Sequence, residues 1–405
     1  MDFEKAVQLL QSYGQEHLLY YYNKLKPPQQ EELLENIEKI DFNLFQMLER
    51  GDRKLGELAP ADILSIKQIK KHRSSYELAG SAAVRSGKVG CVLLAGGQGT
   101  RLGSNTPKGC LNMGINRTLS IFEIQINNLI AACKKTGVFV HLFIMTSEVN
   151  DEVTRQFFEE NNYFGYDPKK IHFYKQSLAP AISFDGKILM EERYRPVLTP
   201  NGNGGWFASL MKAGYGRILT KEGIEWLNVY GVDNVLQKPC DLYFLGATIS
   251  SGLACGSKVV KKVSPNENVG ILCKEDGMPS IVEYYEMPEK LKIRREINGE
   301  LTFGFGVILN YMFNVEKLRD VNKKKLPYHL AKKKIPCLKG TRHVIPDEPN
   351  GYKIETLAVD LVKLMGGCIG FEVEREKEFA PVKNKTGVDS VESARDMLIR
   401  NGVKL

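Results

Sequence analysis

The chain has 405 residues, 43% apolar and 26% charged, with 56 Lys and Arg against 48 Asp and Glu for a formal net charge of +8. That length supports two to three domains at about 150 residues each, and the composition excludes a collagen, a coiled coil, a disordered chain and a membrane channel. The mild positive excess suits an anionic small molecule as readily as a nucleic acid.

Residues 1–85 read as a helical N-terminal segment. Apolar residues recur at three- and four-residue spacing through Val7, Leu10 and Tyr13, then through Leu33, Leu34, Ile37, Ile40 and Leu44. Pro27-Pro28 separates the two helices. From Val89 to Ala95 the run is continuously apolar apart from Gly90, as in a parallel strand buried on both faces. A glycine-rich loop, Gly96–Gly103, follows. Leu119, Phe122, Ile126, Leu129, Ile130 and Cys133 mark an amphipathic helix, and Val138–Met145 a second buried strand. Ser147 is placed to cap a helix running to about Asn161, and Ile171–Tyr174 is a short strand. Trp226–Asp233 is a further apolar strand that ends in a carboxylate. Lys258–Val263, Val269–Cys273, Ile281–Tyr285 and Phe303–Leu309 read as antiparallel strands flanking the parallel ones. This order predicts an α/β fold: a Rossmann-like mixed sheet over residues 86–335, the helical segment packed on it, and a small C-terminal portion, 336–405.

Several chemistries find no residues to carry them. The eight Cys form no C-x-x-C pair and the six His have no ligand spacing, so zinc has little support. Met1-Asp2-Phe3-Glu4-Lys5 is not a basic leader before an apolar stretch, and no apolar run reaches the roughly 18 residues of a membrane span. A reduced, cytoplasmic compartment is expected. The lysine runs 323–325 and 332–334 have only Tyr328 near them. They read as solvated loops, and neither nucleic acid nor membrane is an expected partner.

The glycine-rich loop carries the strongest signal. Leu94-Ala95-Gly96-Gly97-Gln98-Gly99-Thr100-Arg101 fits neither a Walker A loop nor G-x-G-x-x-G. Adjacent glycines still let a ligand approach the backbone and its N–H donors, and Arg101 and Lys108 bring positive charge to the same mouth. With Pro107-Lys108-Gly109 this segment resembles the signature loop of nucleotidyltransferases that make nucleotide sugars. Further blocks are similar to the eukaryotic UDP-N-acetylhexosamine pyrophosphorylases: Gln15–Leu19, Pro180–Lys187, Asn201–Gly205, Val229–Asn234, Val282–Tyr284 and Glu378–Asn384. They run in family order through nearly the whole chain.

The resemblance implies a GT-A-like nucleotidyltransferase core whose active site the C-terminal portion completes, in a monomer that works on small molecules. The implied reaction joins UTP to N-acetylglucosamine 1-phosphate, giving UDP-N-acetylglucosamine and pyrophosphate. It implies that Gly96 and Gly97 hold the uracil through the backbone, Gln176 reads its edge and Gly202 packs beside it. Arg101 and Lys108 would hold the triphosphate, and Lys383 the sugar phosphate and the transferring phosphoryl. Lys353 takes a lesser part at the phosphates. Asn203, Gly270, Glu283 and Asn310 match sugar-binding positions. Asp233, with Asn234 beside it, suits a magnesium ion, Mg2+, bridging phosphates. One departure stands out. The family has Phe-Asn-x-Gly-Asn where this chain has Phe303-Gly304-Phe305-Gly306-Val307, so a polar sugar contact is replaced by valine. A UDP-glucose or broad-specificity UDP-sugar pyrophosphorylase is the alternative. A catalytically silent nucleotide-sugar sensor fits less well, because it would not need Arg101, Lys108, Asp233 and Lys383 together.

Overall fold

The computed structural model describes residues 1–48, 55–99, 102–103, 106–324 and 326–405. Among these, eleven strands join one mixed sheet. They are β1 (Leu58–Pro60), β2 (Ile63–Leu64), β3 (Val89–Leu94), β4 (His141–Thr146), β5 (Ile171–Lys175), β6 (Trp226–Gly231), β7 (Cys255–Lys261), β8 (Ile271–Glu275), β9 (Met278–Val282), β10 (Phe305–Asn314) and β11 (Cys368–Glu372). The main path is β2–β11–β7–β10–β6–β3–β4–β5. β6, β3, β4 and β5 are parallel. β10 runs antiparallel to both neighbours, β6 and β7, and β11 is parallel to β7 and β2. β8 pairs antiparallel with β1 and β9 and meets β10 at Ile271 and Gly306. β3 and β4 are buried at every position, which is why their sequences are continuous apolar runs rather than alternating ones.

Helices α1 (Arg73–Arg85), α2 (Ile121–Thr136), α3 (Asp151–Glu160) and α4 (Leu242–Ser250) accompany this sheet. α2 starts where the Ser120 side chain accepts the Glu123 N–H at 3.1 Å and stops at Gly137, whose φ is +74°. That pair is a hydroxyl cap and a left-handed glycine terminus. α3 begins later than the sequence suggests. Asn150 precedes it, and the Asn150 side chain accepts the Ser147 N–H at 2.7 Å, so Ser147 opens a turn instead of capping the helix. α1 and α4 cross with their backbones in contact. A methyl group built on Gly80 would lie 2.1 Å from the Leu242 carbonyl oxygen, and one on Gly246 would lie 1.8 Å from that of Tyr76.

The chain divides into two compact units that interleave along the sequence. The larger comprises Leu55–Lys175, Trp206–Lys325 and Val359–Leu405 and holds the eleven-stranded sheet. The smaller comprises Met1–Lys54, Gln176–Gly205 and Leu326–Ala358. Each of the consecutive segments 1–85, 86–335 and 336–405 therefore contributes to both units. In the smaller unit, the helices Phe3–Ser12 and Pro27–Lys39 share a core with Ile182, Ile188 and Ile354. Pro27 and Pro28 do more than separate the helices. They form the first turn of the second one, where a missing N–H costs nothing. The strands His329–Lys333 and Gly351–Glu355 pair antiparallel, and the second also pairs with Ile182–Ser183. Among the described residues no helix is long and apolar enough to cross a membrane.

The α1–α4 crossing leaves no room for a side chain. Gly246→Ala should destabilise the larger unit by about 1–3 kcal/mol, visible as a lowered midpoint in thermal or urea unfolding. An unchanged midpoint would mean that the two helices separate without cost.

Candidate active site

In open α/β sheets the carboxyl ends of parallel strands face the ligand. β3 and β6 end side by side here. Gly231 is paired with Leu94, and the Val232 N–H donates to the Leu94 carbonyl at 3.1 Å. The glycine-rich loop leaves β3 and Asp233 follows β6, so both emerge from adjacent strand ends. The loop then folds back on itself. Gln98 bridges Pro107, the Gly99 N–H donates to Thr106 at 3.1 Å, and the Lys108 N–H donates to the Gly97 carbonyl at 3.2 Å. Lys108 thus stands opposite Gly97. Arg101 lies outside the described residues.

Two glycines of this region are there for different reasons. A methyl group on Gly109 would sit 2.2 Å from the Phe122 ring, so that glycine serves packing. Gly97 is exposed, its φ lies outside the left-handed region, and a methyl group there would meet nothing within 4 Å. Neither the backbone nor its neighbours require glycine at 97. Its backbone is open to the close approach of a ligand. Asn150, fully buried, anchors the base of the loop by donating to the Ala95 carbonyl at 3.0 Å. The sequence reading passed over it for Ser147.

A chain segment from near the C-terminus meets the end of β6. The Val382 N–H donates to the Asp233 carbonyl at 2.8 Å, and the Val235 N–H donates to Ala380 at 3.2 Å. Asn234 fastens this segment with its side chain. Its Nδ2 donates to the Glu378 carbonyl at 2.7 Å, and its Oδ1 accepts the N–H groups of Ala380 at 2.8 Å and Leu236 at 3.2 Å. Only 2% exposed and committed to these bonds, Asn234 is a staple and leaves Asp233 alone as the candidate metal ligand. Lys383, next after Val382, therefore lies beside Asp233. Its backbone N–H donates to Asp389 at 2.7 Å, and its ammonium stands 3.5 Å from the Asp389 carboxylate.

Gly270 and Glu283, two of the residues matched to the sugar, meet Val307 on a neighbouring wall of the same sheet. A methyl group built on Gly270 would lie 3.3 Å from Val307 Cγ2 and 3.5 Å from Glu283 Oε1. The Val307 N–H donates to the Gly270 carbonyl at 2.8 Å. β10 is irregular just here. Val307 and Tyr311 pair with Val259 and Ser257, so four residues of β10 advance against two of β7. Leu309 takes φ +50° in this bulge, and a methyl group on Gly231 would touch its Cδ2 at 2.5 Å.

Asn310 is placed differently from the expectation that it contacts substrate. It is fully buried. Its Oδ1 accepts from Asn228 at 2.8 Å and its Nδ2 donates to Gln237 Oε1 at 2.7 Å. Gln237 in turn donates to the Ile308 and Leu309 carbonyls at 3.0 and 3.1 Å. Fully buried, with both amide atoms bonded to protein, Asn310 shapes the bulge that presents Val307. Asn228 and Gln237 were missed by the sequence reading, although a polar Asn inside the apolar run Trp226–Val232 was a visible signal.

The remaining candidates belong to the smaller unit. Gln176 follows β5 directly and is 9% exposed. Gly202 has φ +81°, and a methyl group on it would lie 2.2 Å from the Thr356 carbonyl oxygen, so the loop 201–205 lies flat against residues 356–358. Asn203 Oδ1 accepts the Ala358 N–H at 2.9 Å, which leaves its NH2 group available. Lys353 lies on the strand Gly351–Glu355, across from Ala331.

The Asn234 staple carries the first test of this geometry. Asn234→Ala leaves the Ala380 N–H and the Glu378 carbonyl without partners, at about 1–3 kcal/mol for each buried orphan. Both stability and turnover should fall, and wild-type turnover in the folded variant would show that the segment holds Lys383 in place without it.

A family described as UTP–glucose-1-phosphate uridylyltransferase matches residues 44–399. UDP-N-acetylglucosamine diphosphorylase 1 of Arabidopsis thaliana is 34% identical over 424 residues, covering 98% of this chain and 83% of the plant protein. UDP-N-acetylglucosamine pyrophosphorylase of Saccharomyces cerevisiae is 33% identical over 427 residues, covering 98% of this chain and 89% of the yeast protein. The crystal structure of the Trypanosoma brucei UDP-N-acetylglucosamine pyrophosphorylase with an inhibitor matches with a TM-score of 0.83 at 29% identity, covering 98% of this chain and 84% of that one. The chain belongs to the UTP–glucose-1-phosphate uridylyltransferase family of nucleotidyltransferases, alongside its UDP-N-acetylglucosamine pyrophosphorylases.

Proposed function

We propose that the protein is a uridylyltransferase that converts UTP and N-acetylglucosamine 1-phosphate to UDP-N-acetylglucosamine and pyrophosphate. The observation that supports this reading is the backbone pairing of Val382, the residue before Lys383, with Asp233 at the end of β6, next to the strand end from which the glycine-rich loop departs. A sugar-phosphate oxygen attacks the α-phosphorus of UTP, the new P–O bond forms, and pyrophosphate leaves in line with the bonding electrons. A phosphate monoester has a second pKa of about 6, so the nucleophile is already an anion at neutral pH and no general base is needed. The difficulty is charge. Two polyanions must be brought together, and further charge builds on the leaving group.

Cations placed at separate points meet that need. Each unit-charge pair is worth roughly 4 kcal/mol at 4 Å and an effective dielectric near 20. Lys108 and Arg101 serve the triphosphate, and Lys383 serves the sugar phosphate and the transferring phosphoryl. Gly96 and Gly97 leave their backbone open to the uracil. The roles of Gln176, Gly202, Asn203 and Lys353 rest on the family resemblance. Asp233 fits a magnesium ion. It is half-buried, and its carboxylate makes no hydrogen bond or ion pair among the described residues. Magnesium commonly takes one or two carboxylates and completes its shell with water and substrate phosphates. When bound it would neutralise phosphate charge. The cysteines are free thiols, which supports the reading of a reducing compartment such as the cytoplasm.

Val307 favours a second reading, a UDP-sugar pyrophosphorylase of broader specificity. Its side chain cannot hydrogen-bond a sugar hydroxyl, and Asn310 is already committed elsewhere. Glu283 stays on the same wall and supports the N-acetyl sugar.

Pyrophosphate release from UTP with N-acetylglucosamine, N-acetylgalactosamine and glucose 1-phosphates tests both readings. N-acetylglucosamine 1-phosphate should give the highest kcat/KM, and equal or better use of glucose 1-phosphate would overturn the assignment. Val307→Asn should sharpen the discrimination between the two N-acetyl epimers by about two- to twelvefold, the range of one neutral hydrogen bond. No change would place the side chain out of reach of the ring.

Arg101→Ala, Lys108→Ala and Lys383→Ala should each lower kcat by about a hundredfold in a folded protein, as expected for a lost transition-state charge contact. Full turnover at saturating UTP would remove that residue from the mechanism. Asp233→Asn should shift the magnesium titration to higher concentration, and an unchanged titration would reject Asp233 as a ligand.

A further inference from the structure

Lys258, on β7, is the one lysine among the described residues that is fully buried. Its ammonium lies 2.7 Å from Asp241 Oδ2 and 2.6 Å from Glu378 Oε2. Burial alone would discharge it, but the two carboxylates outweigh that and hold its pKa above the ordinary lysine value. Burial likewise works against the Asp241 carboxylate, and Lys258 overcomes it and lowers the pKa. Asp241 also caps α4, accepting the Tyr243 N–H at 3.0 Å. Glu378 reaches a second cation, Lys238, at 3.4 Å.

Glu378 is therefore gripped twice. Its side chain is held by Lys258, and its carbonyl accepts from the Asn234 side chain. The residues between Glu378 and Lys383 are the ones laid against Asp233–Val235. A cavity of about 400 Å3, lined in part by Arg73, Lys238, Asp241, Tyr243, Lys377 and Glu378, opens beside the carboxylates. Phe379, Ala380 and Val382 pack into the core, and the ion pairs add a polar hold at the start of the segment, where the cavity leaves Glu378 without apolar cover.

We propose that Lys258 is a positioning residue for the reaction: through Glu378 it fixes the segment that carries Lys383, and so sets where the Lys383 ammonium stands relative to Asp233. This rests on the reading of Lys383 as a phosphate-neutralising cation. Lys258 touches no reactant. It fixes the start of the segment whose end does. A lysine serving stability alone would change how much enzyme is folded and leave the turnover of the folded fraction untouched.

A double-mutant cycle on the full chain separates these cases. Lys258→Met, Lys383→Ala and the double variant are compared by pyrophosphate release at saturating UTP and N-acetylglucosamine 1-phosphate, below every variant's unfolding midpoint. Lys258→Met should lower kcat by about tenfold or more, since a small misplacement of a reacting group carries losses of up to about a hundredfold. In the Lys383→Ala background the same change should cost less than about twofold, because residues acting through one another are not additive. Two results overturn the proposal while leaving the role of Lys383 intact: a folded Lys258→Met enzyme with wild-type kcat, or a loss that multiplies in full with that of Lys383→Ala. Full activity of Lys383→Ala itself overturns the underlying reading, and the proposal with it. If Lys258→Met does not fold, Glu378→Gln takes its place in the cycle. It keeps the side-chain shape and the Lys258–Asp241 pair and removes only the charge that reaches the segment. The same non-additive loss supports the proposal, and wild-type kcat overturns it.

Discussion

The large unit depends on how an irregular segment from far along the sequence is held at the end of a central strand. Residues 378–382 form no long strand of their own, so backbone pairing alone would leave their register weakly fixed. The buried side chain of Asn234 supplies the missing specification. It accepts from Ala380 and donates to Glu378, and a slip of one residue would leave both groups unpaired where water does not reach them. Such orphans cost about 1–3 kcal/mol each. It would also turn each following side chain to the opposite face. The register that satisfies Asn234 is the one that sets Lys383 beside Asp233.

A second buried polar network does the same for the sugar-side wall. The bulge in β10 puts Leu309 at φ +50°, a conformation that costs a residue with a Cβ about 1–2 kcal/mol. It also takes the Ile308 and Leu309 carbonyls out of the ladder. Gln237 donates to both, Asn310 holds Gln237, and Asn228 holds Asn310. None of these three side chains is exposed. Their work is to make an otherwise unfavourable backbone the best one available, so that Val307 meets Gly270 and Glu283.

The sequence disclosed the parts of the fold whose energetics are local. β3 and β6 were readable because a strand covered on both faces must be apolar along its length. The glycine-rich loop was readable as a turn because adjacent glycines after a buried strand free the backbone to leave it. The structural roles of Asn150, Asn234 and Lys258 were not legible, and for one reason. A polar side chain in a sequence does not say which distant backbone or charge it will serve. Asn234 looked like a companion to Asp233 at a metal and is bonded to residues 144 and 146 positions away. Lys258 looked like the first residue of an alternating strand, and its partners come from α4 and from Glu378. The division into two units was hidden in the same way. Residues 176–205 and 326–358 join the N-terminal helices only in three dimensions.

These observations bear on why the candidate phosphate-binding cations come from well-separated places. Lys108 and Lys383 carry like charge, and the Lys383 ammonium is already offset by Asp389 at 3.5 Å. Residues placed side by side on one flexible loop could relax apart, and substrate binding would then have to reorder them. Here each stands at the edge of a backbone segment whose position is set by buried polar groups, Asn150 beneath the glycine-rich loop and Asn234 with Glu378 beneath Lys383. Their backbone positions are set by folding, before any substrate arrives. Binding energy from the nucleotide and the sugar can then lower the barrier to phosphoryl transfer, because it is not consumed in arranging the charges.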